Sequence, residues 1–264
     1  MGRWDSGTEC GRMRRVVLMV AVLQPLLRPS LLSAQNWPVH SLDRPRPRVV
    51  EPGPASLVPA RPPSDAVILF DGRNLLEWEH EGGTPARWAV RGEAFEVVPG
   101  TGSIRTRRAF GDVQLHIEWA APVPPRGTGQ GRGNSGVFLM GYYEVQILDS
   151  YGNDTYADGQ AAALYGQQPP LVNASRRPGE WQTYDIYFTR PRFAPDGTLL
   201  DSARVTVVHN GVLVHHAVAF QGRTAHQRRA SYEAHPDRLP ILLQDHGDRV
   251  RFRNVWVRDL TGMP

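Results

Sequence analysis

Glu144, Gln146, Gln244 and His246 are the side chains whose types and spacing best suit proton transfer and the holding of hydroxyl groups. In Tyr143-Glu144-Val145-Gln146-Ile147 the apolar residues alternate, so on a strand Glu144 and Gln146 share the opposite face. Val113 to Trp119 repeats the pattern and puts His116 and Glu118 on one polar face. If these two strands are neighbours, Glu118 and Glu144 meet on one sheet, where two carboxyls can act as general acid and base. Gln244 and His246 share a face at the end of a third strand-like run, and imidazole is the natural proton carrier near neutral pH. The plain alternatives are a solvated glutamate on each strand and a turn in which Asp245 and Asp248 cap backbone groups.

Asn134-Ser135-Gly136 reads as a turn before the Glu144 strand, and a long polar segment, 149–178, follows it. A loop of that length inside a compact domain is usually functional or disordered. Its Tyr156, Asp158, Gln160 and Tyr165 offer flat rings and hydrogen-bonding groups to a polyhydroxylated ligand. Asn134, Gln146, Asp158, Gln160, Tyr165 and Gln244 are therefore the expected ligand-binding residues, with Glu144, His246 and Glu118 as the expected catalytic set. His246 and nearby carboxylates could hold a divalent metal ion, but their spacing is not diagnostic and no cofactor is assigned. Phosphate-loop, dinucleotide, Gly-x-Ser-x-Gly and His-Glu-x-x-His signatures are absent.

These residues need a scaffold of strands. Short alternating runs bounded by Gly, Pro, Asn and Asp recur from Val67 to Asp259, and no helical stripe of ten or more residues interrupts them. His209-Asn210-Gly211-Val212 is a hairpin signal, because Asn-Gly accepts the positive φ of a tight turn. Many antiparallel strands without helices imply a sandwich or a barrel.

Residues 1–34 hold a basic start at Met13-Arg14-Arg15, an apolar run and a small-residue exit at Ser33-Ala34, the pattern of a secretory signal. Gln24, Pro25, Arg28 and Pro29 break that run, so a membrane-spanning helix is not expected in the mature chain. Residues 35–63 are rich in Pro and Arg without periodicity and read as an unstructured linker. The folded domain is expected over 64–264. The 264-residue chain carries a net charge of +4 and no Lys; loss of residues 1–34 removes five Arg and two acidic residues and leaves about +1. No clustered basic face points to nucleic acid. The single cysteine, Cys10, lies in the leader, so the mature chain has neither disulfide nor thiol nucleophile. Nothing in the sequence sets the oligomeric state.

With these segments in order, the chain resembles the 3-keto-disaccharide hydrolase family from about Ala66 to Leu260. The resemblance is carried by Leu69-Phe70-Asp71-Gly72, Asn134-Ser135-Gly136-Val137-Phe138, Tyr143 to Asp149, Asp158-Gly159-Gln160-Ala161 and Leu164-Tyr165-Gly166. Gly179 to Tyr184, Gln244-Asp245-His246-Gly247 and Arg251-Phe252-Arg253-Asn254 extend it. It implies an all-β, concanavalin-A-like jelly-roll sandwich of two antiparallel sheets with long loops on the concave side. It also implies export to the periplasm or exterior of a bacterium, and an oligosaccharide or glycoside substrate oxidised at C3. A sugar-binding module without catalysis and an ordinary glycosidase are the alternatives.

Overall fold

A computed structural model describes residues 1–3, 37–55 and 59–262. The signal-like run and Cys10 lie outside the described residues. The chain from Trp37 onward is nearly all β. Its strands are β1 (Arg48–Val49), β2 (Val67–Phe70), β3 (Trp78–His80), β4 (Ala89–Arg91), β5 (Ala94–Glu96) and β6 (Ile104–Phe110). Then follow β7 (Val113–Ala120), β8 (Ser135–Leu139), β9 (Tyr143–Ile147), β10 (Val172–Asn173), β11 (Gln182–Thr189) and β12 (Arg192–Phe193). The last are β13 (Leu199–Asp201), β14 (Arg204–His209), β15 (Val212–Ala219), β16 (Leu239–Leu243) and β17 (Arg251–Asp259).

Two antiparallel sheets form a sandwich, as expected. The larger has the order β15-β14-β11-β7-β17-β5-β4, with β2 also paired to β17. The smaller has the order β3-β6-β16-β8-β9. Alternation along each strand decides what lies between them. Leu115, Ile117 and Trp119 of β7 and Tyr143, Val145 and Ile147 of β9 are all buried in one core. Rings meet across the sheets: Tyr143 and Phe188 lie 5.7 Å apart, and Trp78 and Phe95 5.9 Å. The apolar set of each strand is thus spent on the core, and Glu144 and Gln146 must project from the outer face of the smaller sheet.

The Pro- and Arg-rich segment departs from the expected unstructured linker. Its residues 37–50 lie along the domain, and β1 pairs in parallel with β10 through Arg48–Val172 and Val49–Asn173. Polar anchors rather than apolar periodicity hold it: the Arg44 guanidinium donates to Gln167 O (3.2 Å) and Gln168 Oε1 (3.3 Å), and Arg46 pairs with Asp154.

Candidate active site

β8 and β9 form a hairpin in which Phe138 faces Glu144 and Gly136 faces Gln146. Met140 and Gly141 turn the chain with φ of 54° and 71°. The Glu144 side chain leans along the hairpin over Gly136, where a Cβ would stand 2.6 Å from Oε1. A glycine here makes the room the carboxyl occupies. The Glu144 amide donates to Thr224 Oγ1 at 3.0 Å, tying the strand to the loop that forms the far wall. The side chain is buried and, among the described residues, no cation pairs with it. Burial alone pushes its pKa from the usual carboxyl range up to about 8.

Glu144 opens into a cavity of about 250 Å³ lined by Asn134, Phe138, Glu144, Gln146, Tyr165, Thr224, Ala225, His226, Gln244 and His246. Six of the nine expected site residues, Asn134, Glu144, Gln146, Tyr165, Gln244 and His246, thus meet in one place. β16 delivers Gln244 and His246 just past its end, beside β8: the Gln244 amide donates to Gly136 O (3.1 Å) and Ser135 Oγ to Gln244 O (2.7 Å). His246 is exposed at the rim. Asp245 and Asp248 cap backbone amides, accepting from Gly247 N and Asn134 N at 3.0 and 2.8 Å. Gln146 Nε2 donates to Gln130 Oε1 at 3.0 Å, and among the described residues its buried Oε1 has no partner.

The long segment after β9 is built rather than loose. Gln146 N and O bond to Ala163 O and Ala162 N (2.9 and 2.8 Å), so 160–164 runs beside β9 and covers the edge of the smaller sheet. That path sets Tyr165 on the cavity, its hydroxyl 2.9 Å from that of Tyr156 and 3.3 Å from His226 Nδ1. Burial, with Glu144 and Asp158 nearby, raises the Tyr165 pKa, so its hydroxyl stays protonated. Asp158 and Gln160 are buried within the segment and do not line the cavity.

Glu118 stands apart, which corrects the expected pairing with Glu144. β7 lies inside the larger sheet, flanked by β11 and β17, while β9 ends the smaller one. Each strand turns its apolar residues inward, so the two carboxyls occupy opposite outer faces of the sandwich with the core between them. Glu118 serves a buried ionic cluster instead. Arg253 Nε donates to its Oε2 at 2.6 Å, Asn254 Nδ2 to its Oε1 at 2.9 Å, and His116 Nε2 lies 3.6 Å away. Burial opposes charge on both groups, yet these contacts and Asp185 (2.7 Å from His116 Nδ1) outweigh it. The Glu118 pKa falls and that of His116 rises to about 9.

Sequence reasoning missed Phe138, Thr224 and His226, and with them His40, whose ring stacks on Tyr156 at 4.0 Å. Thr224 and His226 lie in an irregular stretch with no periodicity to mark it. Among the described residues no group of three His, Cys, Asp or Glu is placed to hold a metal ion. No helix among them is long and apolar enough to cross a membrane.

Residues 65–258 match the 3-keto-alpha-glucoside-1,2-lyase-like domain. The chain belongs to that family. It is therefore a member of a carbohydrate-active group, as the motifs around Glu144 and His246 suggested. A crystal structure from Parabacteroides distasonis ATCC 8503, described provisionally as a glycosyl hydrolase, is 42% identical to it with a TM-score of 0.74. The match covers 81% of this chain and 94% of that one. Two further structures from the same organism, described likewise, are 18% and 22% identical, each with a TM-score of 0.52. They cover 74% of this chain and 94% and 99% of their own, and speak to the fold alone. No curated protein matches the chain.

Proposed function

We propose that this protein cleaves glycosides already oxidised at C3 of the sugar, with Glu144 as the base that takes the C2 proton. One observation carries the reading: among the described residues lining the cavity, Glu144 is the only carboxylate. An ordinary glycosidase works with two carboxyls flanking the scissile bond. An elimination next to a ketone needs one base, an acid for the leaving oxygen and donors for the enolate.

The steps balance without an oxidant. The carboxylate of Glu144 accepts the C2 proton, and the C–H electrons become the C2–C3 double bond of an enolate. As the C3 carbonyl re-forms, the pair moves to C1–C2 and expels the oxygen at C1, which takes a proton from His246 at the rim. Water then adds across the C1–C2 double bond. In this reading Tyr165 and Gln244, both on the cavity, donate to the enolate oxygen, and Asn134 and Gln146 orient hydroxyls. The family description, a 3-keto-alpha-glucoside-1,2-lyase-like domain, supports reading the reaction as an elimination across C1 and C2. The resemblance and the signal-like leader support an exported protein.

The test is product formation from a 3-keto-glucoside beside its non-oxidised parent. Release of the aglycone from the keto compound alone is the expected result. Release from the parent points to an ordinary glycosidase, and binding without release of either points to a sugar-binding module.

A further inference from the structure

We propose that the strap at residues 37–49 is part of the site: His40 is a positioning residue for Tyr156 and Tyr165, and Arg44 is the counter-ion that lets Asp158 stay buried beside them. The family match begins at residue 65 and does not reach the strap.

His40 is held in a conformation that needs a reason. Its φ of 60° is left-handed, a region uncommon outside glycine, although histidine enters it more readily than most residues. The surroundings of His40 belong to the site. The imidazole lies nearly parallel on Tyr156 at 4.0 Å, meets Tyr165 edge-on at 5.0 Å and stands 5.8 Å from His226. Among the described residues its buried Nε2 has no hydrogen-bond partner, and the ring's place is set by packing on the tyrosines. Gly166, next to Tyr165, leaves space for the strap: a Cβ there would come within 3.3 Å of Val39 Cγ1 and 3.6 Å of His40 Nε2.

Asp158 is the second anchor. It is fully buried, and an isolated buried carboxylate is costly unless charge and hydrogen bonds compensate it. Both come from the strap: His40 N donates to Oδ2 at 3.2 Å, and Arg44 Nη1 lies 4.0 Å from the same oxygen. Asp158 O in turn accepts from Gly166 N at 2.9 Å, so the residue that receives the strap also fixes the chain beside Tyr165. The path runs from the strap through Asp158 and Tyr156 to the Tyr165 hydroxyl on the cavity.

The experiment compares His40→Phe, His40→Ala, Arg44→Met and Arg44→Met/Asp158→Asn in the full chain. One readout is hydrogen exchange over 156–166 and over β7; the other is kcat and KM on the 3-keto-glucoside, an arm that rests on the proposed function. His40→Ala is expected to lower kcat/KM by about tenfold, and His40→Phe, which keeps a flat ring, to stay within about twofold. Arg44→Met should speed exchange at 156–166 but not in β7, and the added Asp158→Asn should restore slow exchange, because a neutral amide needs no counter-ion. Wild-type behaviour in His40→Ala, or a double variant no better than Arg44→Met, would overturn the proposal. If the wild type turns over no keto sugar, the exchange arm still decides it.

Discussion

The Glu144 carboxyl lies over Gly136, in space that a side chain at 136 would enter. A methyl group at 136 would sit 2.6 Å from Oε1 and 2.8 Å from Phe138 Cε2. Gly136→Ala should therefore displace the carboxyl and cut kcat/KM by about tenfold or more while the sandwich still folds. Steady-state kinetics beside a thermal melt separate the two effects.

Glu144→Gln keeps the shape and removes the base, so turnover should fall by about 10²–10⁴ with ligand binding retained. The same variant isolates a stability term. The folded carboxyl has a raised pKa, so its contribution is complete below the unfolded value near 4.5 and is lost as pH rises through about 8. Unfolding free energies by denaturant titration should show the wild type losing ground to Glu144→Gln between those limits, and not beyond them.

The pH dependence of turnover has a definite sign. A base must be deprotonated, so kcat/KM should climb as pH rises toward about 8, the pKa of Glu144 in the unliganded protein. A profile with no rising limb toward about 8 would contradict Glu144 as the base.

Glu118 gives the opposite pattern. It is buried against Arg253 on the far face of the sandwich, with the core between it and the cavity. Glu118→Ala leaves that guanidinium without its carboxylate and should cost about 3 kcal/mol or more of stability. Below the melting transition, kcat on the keto sugar should be unchanged.

Legibility followed periodicity. β2 and β17 stand at the two ends of the span, Val67 to Asp259, over which short runs recur, and the alternation in β9 put Glu144 and Gln146 on one face. β6 was not legible because Ile-Arg-Thr-Arg-Arg-Ala-Phe turns arginines outward; Arg105 and Arg107 pair with Glu79, at 3.1 and 2.9 Å, where apolar packing would have left a signal. The same patterning could not say that β7 and β9 belong to different sheets, since strand order depends on long-range pairing that alternation does not encode. His40 escaped for another reason: the strap is held by single polar bonds and one stacked ring, which leave no repeat in the sequence.

The most direct measurement uses a 3-keto-glucoside carrying deuterium at C2, offered to the wild type and to Glu144→Gln beside the non-oxidised parent. Slower cleavage of the deuterated keto sugar by the wild type is predicted, with the parent intact and turnover by Glu144→Gln lowered by about 10²–10⁴. Cleavage of the parent at a comparable rate, or full activity in Glu144→Gln, would contradict proton abstraction by Glu144.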